Sequence, residues 1–379
     1  MAKLTTYNDA ISMTSADILT AFASGPYSAE SATKFVVSNG SNEHYTFTGT
    51  GFTFDAQGHP TGGTITHLTL TDASHATAMV VSNFSISVAD FSAFATANDL
   101  TGLVNEVFAN NDTFNITSTA LARLQGAGGN DTFNFGANFG SNDAIDGGAG
   151  VNTAKLAGDY TTDIVTGELQ NIQKIMLGAG HNYDLTLVDT SISGGKTLTV
   201  DGHTLAAANS MAIDASAQTV GVHLLGGAGN DTLVGGTGND QITGGLGADT
   251  LTGGGGKNTF IYASAAASGG SVHDTITDFD AKLDHFKVHV AVNAIDAEVT
   301  TGALDKGANF NTELQTAMTG HLLAGDAVLF TPDSGTLSGH TFLIVDQNGA
   351  AGYQSGHDLV IDITGAAHLS ALHAANFIT

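Results

Sequence analysis

Apolar and polar residues follow three different periods along this chain. Between 226 and 261 the period is nine: "GGAGNDTLV", "GGTGNDQIT", "GGLGADTLT" and "GGGGKNTFI" align with Leu233, Ile242, Leu251 and Phe260 at position eight. Glycine fills positions one, two and four of every line, and position six reads Asp231, Asp240, Asp249 and Asn258. One inward apolar residue per nine, after a six-residue turn, predicts three-residue strands stacked in a coil. Between 183 and 225 the runs "DLTLVD", "KTLTVDG", "SMAIDAS" and "VGVHLLGG" recur roughly every eleven to thirteen residues, which suits rungs of a parallel solenoid.

Residues 1–108 follow shorter periods. "KFVVS", "HYTFTG", "GFTFD", "GTITHLTL" and "AMVVSNFSI" alternate and predict antiparallel strands, two of them separated by the turn-rich "DAQGHPTGG". "TSADILTAFASG" predicts a helix with Thr14 or Ser15 as cap, Ile18, Leu19 and Phe22 inward, and Gly25 at its end. "NDLTGLVNEVFAN" places Leu100, Leu103, Val104, Val107 and Phe108 on one helical face, with Asn98 as the expected cap. From about 109 the chain turns to Asn, Asp and Gly: "NNDTFNI", "GAGGNDTFNF", "GSNDAIDGGAGVNTAKL" and "GAGHNYDLTL" are worn copies of the nine-residue pattern. The expected class is mainly β: a small α+β domain over 1–108, a parallel β-roll or solenoid over 109–264 with its strongest repeats at 226–261, and a β-rich region over 265–379.

Composition narrows the partners. Among 379 residues, 36 are acidic and 10 basic, a net charge of −26. That balance excludes nucleic acid and anionic membrane surfaces as partners and favours cations. With no cysteine there is no disulfide, thiol nucleophile or thiolate metal site. The opening "MAKLTTYNDAISMTSADILTAF" lacks the apolar core of a Sec-type signal, and no run of 18 apolar residues exists, so no membrane span is expected. If the protein is exported, its address is expected elsewhere in the chain.

The nine-residue pattern carries chemistry. Glycine reaches the backbone angles that turn several carbonyls toward one point, and aspartate adds a charged hard oxygen, the donor set that calcium prefers. A flexible linker needs neither the fixed Asp nor the apolar position eight. The segment resembles the calcium-binding nonapeptide repeat of the RTX ("repeats in toxin") family. The resemblance implies a β-roll with Ca²⁺ between turns two repeats apart. Asp231 would then share an ion with Asp249, while Asp240 would face the uncharged Asn258 at a weaker site. By the same resemblance the carbonyls of Gly227, Gly229, Gly245 and Gly247 complete one edge, and those of Gly236, Gly238, Gly254 and Gly256 the other.

Stacked carboxylates repel without the ion, so the roll is expected to order on binding calcium. In the worn block, Asp131 keeps the Asp position, but Asp143 is not eighteen residues away and Asn152 replaces Asp. A calcium ion at Asp131 and a turn held by Asn and Asp hydrogen bonds are both open readings there.

"VHDTITDFDAKLDHFKV" (272–288) resembles the segment that closes RTX rolls, with Asp274, Asp278, Asp280 and Asp284 as candidates to cap the last turn or hold one more ion. For Asp280 and Asp284 ordinary capping and turn formation is the reading taken. The closing "LSALHAANFIT" is similar to the C-terminal region of type I secretion substrates. That likeness implies an exporter of ATPase, periplasmic adaptor and outer-membrane channel as partner. The function expected is a secreted or cell-surface, non-enzymatic calcium-binding protein with a structural or adhesive role, in a surface layer or biofilm matrix. A cell-surface polymer or self-association would supply its contacts.

No H-E-x-x-H or G-x-S-x-G occurs, so a zinc protease or lipase of those types is excluded. "SISGGKT" lacks the first glycine of a phosphate loop, and "DQNGAAGYQSGHD" has Gly349 at the fourth position rather than the sixth and no Glu at the twelfth, so a turn or hairpin is expected there rather than an EF-hand. The rival functional class is a haem or metal carrier, or an enzyme, acting through residues 1–108. His44, His59, His67 and His75 lie there near Tyr27 and Tyr45, and the strand pattern is loosely similar to that of secreted haem carriers.

Overall fold

The structure, a computed structural model, describes residues 1–7, 11–12, 17–39, 42–119, 122–140, 143–166, 168–188 and 196–379. The expected Thr14 or Ser15 cap and most of "SISGGKT" lie outside the described residues. The chain divides into two compact units, one chiefly Met1–Gly158 with Thr166–Met176, the other chiefly Leu177–Asp189 with Gly195–Thr379.

In the first unit, alternation does what the sequence requires of it. Lys34–Ser38 buries Phe35 and Val37, and His44–Phe54 buries Tyr45, Phe47 and Phe52. These strands pair antiparallel with each other and with Pro60–Thr71 and Thr77–Ser87. Helix Asp17–Ser24 lowers Phe22 onto them, where its ring lies 4.6 Å from Phe91 and 5.5 Å from Phe47. Phe91 comes from a second helix, Val88–Ala97.

The third helix, Leu100–Val107, corrects one expectation. Its cap is Asp99, whose Oδ1 accepts from the Gly102 N–H at 2.8 Å. Asn98 instead ends the preceding helix in the left-handed region, at φ 50°. Both roles suit a short polar side chain, so the pattern alone could not separate them.

Lys3–Thr6 joins two kinds of sheet within this unit. One edge pairs antiparallel with Thr77–Ser87, and the other pairs parallel with Thr113–Ile116. From there the chain coils. Thr113–Ile116, Thr132–Gly136 and Thr153–Leu156 stack in parallel in one sheet, while Ala122–Gln125, Ala144–Asp146 and Glu168–Gln170 stack in another. The register aligns Phe114 with Phe133, whose rings stack at 4.5 Å.

The second unit continues the coiled build. Tyr183–Leu187, Met211–Asp214, Thr232–Val234, Thr250–Thr252 and Asp274–Ile276 form one parallel series. Leu198–Asp201, Val222–Leu225, Gln241–Thr243, Thr259–Tyr262 and His285–Val288 form the other. Leu233 pairs with Leu251 and Ile242 with Phe260, so a coil is eighteen residues and one repeat is half of it. All four are buried at the coil axis, while Thr232, Gln241 and Thr250 face outward.

Beyond the repeats the pattern changes because a second layer covers the strands. Ala327–Phe330, Phe342–Val345 and Leu359–Asp362 are buried at every position and form an antiparallel meander, with the last strand parallel to Asp274–Ile276. Helix Phe310–Met318 packs Phe310, Leu314 and Met318 into that core. "DQNGAAGYQSGHD" is the hairpin connection within this meander. Phe377–Ile378 then adds a short parallel strand to His285–Val288.

Candidate calcium centre

Each nine-residue repeat places its turn carboxylate under the coil edge rather than in solvent. Asp231, Asp240, Asp249 and Asn258 are each no more than 2% exposed. The reason lies in the turn: its backbone N–H groups cannot pair within a three-residue strand, so side-chain oxygens take them. Asp231 Oδ1 accepts from Met211 N and its Oδ2 from Gly227 N, both at 2.8 Å. Asp240 repeats this with Val222 N and Gly236 N, again at 2.8 Å.

The same side chains link one coil to the next. The N–H of Asp231 donates to Asp249 Oδ1 at 2.8 Å, and that of Asp249 to Asp274 Oδ1 at 3.0 Å. On the opposite edge Asp240 N donates to Asn258 Oδ1 at 3.1 Å, and Asn258 N to Asp284 Oδ1 at 2.9 Å. The pairs expected from the repeat, 231 with 249 and 240 with 258, are therefore neighbours in space. Sequence reasoning gave Asp284 an ordinary capping role; it is indeed a cap, but one that ends a ladder begun at Asp240. Asp278 closes the last turn by accepting from Gly253 N and Gly254 N at 2.8 and 2.7 Å, while Asp280 accepts from Lys282 N and meets His368.

A second ladder, at position five, was missed. Asn230 Oδ1 accepts from Ala248 N at 3.0 Å and Asn239 Oδ1 from Lys257 N at 2.8 Å. The recurring "ND" pair at positions five and six was the signal for it.

Turn glycines set how closely the coils stack. Gly245 and Gly247 have φ of 110° and 120°, and a Cβ on either would collide with the carbonyl oxygen of Gly227 or Gly229 one coil earlier. Gly254 and Gly256 meet the carbonyls of Gly236 and Gly238 in the same way. Of the eight carbonyls nominated from the repeat, those of Gly227, Gly229, Gly236 and Gly238 lie pressed against the turn of the next coil.

The electrostatics shows what the turns lack. Asp249 Oδ2 is buried without a hydrogen-bond partner, while the buried Asp274 carboxyl meets the hydroxyl of Tyr262. Burial pushes the Asp249 carboxyl up to about 7, with the nearby Asp231 charge adding to it. Burial also drives Asp274 well above the usual carboxylate range, and raises Asp231, Asp240 and Asp284. A buried carboxylate with an idle oxygen is costly unless a cation neutralises it. Among the described residues no three His, Cys, Asp or Glu side chains cluster as a metal site. The donors on offer are two carboxylates at the 231–249 and 249–274 steps, one carboxylate and one amide oxygen at 240–258, and several carbonyls, an all-oxygen set suited to calcium rather than to zinc or copper.

Fold and turn chemistry together define a parallel β-roll built on calcium-binding repeats. Residues 225–260 match the RTX calcium-binding nonapeptide repeat in four copies, repeats that bind Ca²⁺, and the match supports an RTX-type protein. Curated proteins offer no match to it. Among the described residues no helix is long and apolar enough to cross a membrane.

Proposed function

We propose that this is a secreted protein whose roll folds on calcium after export by a type I exporter, and that its work outside the cell is structural or adhesive rather than enzymatic. The observation that carries the reading is the idle, buried oxygen of Asp249, on a residue whose own N–H donates to a second buried carboxylate, Asp274. Such a step is unfavourable without an ion and favourable with one, so the roll stays loose where calcium is scarce. Extracellular calcium modules work at about 10⁻⁴–10⁻³ M, far above cytosolic calcium. In this reading Asp231 and Asp249 hold an ion with the carbonyls of Gly227, Gly229, Gly245 and Gly247. Asp240 and Asn258, with Gly236, Gly238, Gly254 and Gly256, form the weaker edge, and Asp274 extends the first. A surface layer or biofilm matrix would use the ordered roll as a spacer, with a surface polymer or another copy as its contact. Circular dichroism in chelator and in calcium tests the folding step; strand content equal in both would overturn it. Calcium-dependent assembly into sheets or filaments tests the structural role, and a strictly monomeric calcium-loaded protein would count against it.

A second reading, a ligand carrier acting through the N-terminal region, rests on a cavity of about 250 Å³ between the helices and the antiparallel sheet of the first unit. Its walls include Leu68, Met79, Val81, Leu103 and Val104, with Tyr45, Asp17 and Glu43 as polar members. His44, His59, His67 and His75 are not among its lining residues, so the cavity suits a small apolar molecule better than haem. Titration with an apolar fluorophore separates the readings: saturable binding displaced by a small hydrocarbon favours the carrier.

A further inference from the structure

The matched repeats end at 225–260, yet the first unit contains a turn pair of the same build. Residues 126–131, "GAGGND", stack under residues 147–152, "GGAGVN". Four hydrogen bonds of the pair 226–231 and 244–249 recur in this pair. Ala149 N donates to Ala127 O at 2.9 Å, as Leu246 N does to Gly227 O at 2.9 Å. Val151 N donates to Asn130 Oδ1 as Ala248 N does to Asn230 Oδ1. Asp131 N donates to Asn152 Oδ1 as Asp231 N does to Asp249 Oδ1. Thr153 N donates to Asp131 O as Thr250 N does to Asp231 O, both at 2.8 Å. Positions two and four are left-handed in both turns of this pair, with φ 59° at Ala127, 108° at Gly129, 71° at Gly148 and 113° at Gly150; in the matched pair they are so only in the second turn, at Gly245 and Gly247. That a residue with a Cβ is held there marks a conformation imposed by the stack.

The spacing hid this pair. Its coil spans twenty-one residues, from Asp131 to Asn152, because the outer loops are longer than in the eighteen-residue coils. The turns stack regardless, since register is set by the turn and strand and not by the loop between them.

Asp131 is 1% exposed, and its Oδ2 has no hydrogen-bond partner. That oxygen lies against Gly126, beside the carbonyl oxygen of Gly147, just as Asp231 Oδ2 lies against Gly226 beside Gly244 O. One coil earlier Asp112 is also buried, donates its N–H to Asp131 Oδ1 at 2.8 Å, and has an Oδ2 without a partner. The first unit therefore holds two stacked, buried carboxylates, each with an unpartnered Oδ2; the Oδ1 of Asp112 also accepts from the N–H of Ala2, near the charged amino terminus.

We propose that Asp131, with Asp112 one coil before it, holds a further divalent cation, calcium, at the turn 126–131, outside the recognised repeats. The inference rests on the calcium reading of the matched repeats and extends it to the first unit, so that ion binding orders both units. Hydrogen exchange of the full chain in chelator and in 10 mM calcium chloride tests it. For a site near 1 mM, this concentration slows exchange through site opening by about tenfold. The expected result is slowing of that size at amides 126–153, abolished in Asp131→Asn and reduced in Asp112→Asn, while slowing at 226–258 persists in both. Asn keeps the Oδ1 acceptor and removes only the charge, so the turn is expected to fold in either variant. Slowing at 226–258 alone in the unaltered chain, or slowing at 126–153 that survives Asp131→Asn, overturns the first-unit site and leaves the matched repeats intact. No slowing at either segment overturns this inference and the calcium-folding reading together.

Discussion

Asn258 Nδ2 donates to the carbonyl of Gly254, four residues before it, at 3.5 Å, whereas Asp249 in the equivalent position leaves its Oδ2 idle. Asn152 makes the same contact with Gly148 at 3.4 Å. An Asn at the sixth position therefore satisfies its own turn, as Asp231 and Asp240 do by accepting from the N–H of Gly227 and Gly236, whereas Asp249 leaves one oxygen over.

Asp249→Asn accordingly has effects of opposite sign in the two states. In chelator it removes a buried, unpartnered charge and supplies a donor to Gly245, so unfolding is expected at higher denaturant than in the parent. In calcium it removes a charged ligand, so affinity is expected to fall by about tenfold or more. Denaturant midpoints with and without calcium read both effects; a shift of the same sign in both would refute the assignment. Asp249→Ala is expected to weaken the first site more than Asn258→Ala weakens the second. It also strands the buried N–H of Asp231, at a cost of about 1–3 kcal/mol.

Gly247→Ala separates steric fit from backbone strain. Gly51 has a left-handed φ of 68° but open space where a Cβ would be, while Gly247 has φ 120° and the Gly229 carbonyl in the way. Gly51→Ala is expected to cost about 1 kcal/mol. Gly247→Ala should cost more, and should lower the melting temperature most in the calcium-loaded protein. Equal losses would mean that the stacked turns move apart freely.

Proton linkage predicts a stability profile that calcium inverts. Burial raises Asp249 and Asp131 from 3.8 to about 7, so between those values the folded chain holds protons that the unfolded chain has released. Metal-free stability must then fall as pH rises from about 4 to about 7. Asp280, held low by the Lys282 N–H, acts in the opposite sense but only below its ordinary value, outside this window. With saturating calcium the carboxylates must be ionised to bind, so stability should rise over the same range. Urea midpoints at pH 5 and pH 8 decide this; a chelator midpoint that rises with pH contradicts the burial argument.

Asn376→Ala tests the end of the roll. Asn376 is buried, and its Nδ2 donates to the carbonyls of Ala281 and Asp284 at 2.9 and 3.0 Å. Removing it strands two carbonyls beside the ladder that ends at Asp284, so a loss of about 1–3 kcal/mol is expected. Exchange at 258–288 should rise first, since those amides lie nearest the lost contact.

The repeat was legible because one residue type at each of five positions controls one physical event: glycine the turn, Asp the edge and an aliphatic or aromatic residue the axis. In the antiparallel sheet, Lys34–Ser38, Pro60–Thr71 and Thr77–Ser87 were legible from alternation; "HYTFTG" and "GFTFD" proved to be one strand, His44–Phe54, and Tyr27–Ser31 gave no such signal. What escaped the sequence depends on contacts across insertions. Asp274 and Asp284 were named as candidates to cap the last turn from the closing-segment resemblance, but they stand 25 and 26 residues after their ladder partners instead of eighteen, so no period reveals which partners they meet. The pairing of Lys3–Thr6 with Thr113–Ile116 spans 110 residues and carries no local signal. The meander of 327–362 has no alternation to read, because it is covered on both faces.

The strand at Phe377–Ile378 lies on His285–Val288, and Asn376 beneath it donates to the carbonyls of Ala281 and Asp284. The last residues are thus moored to the rung on which the ladder from Asp240 ends. A roll drawn tight by calcium would hold that mooring, and a loosened one would slip it.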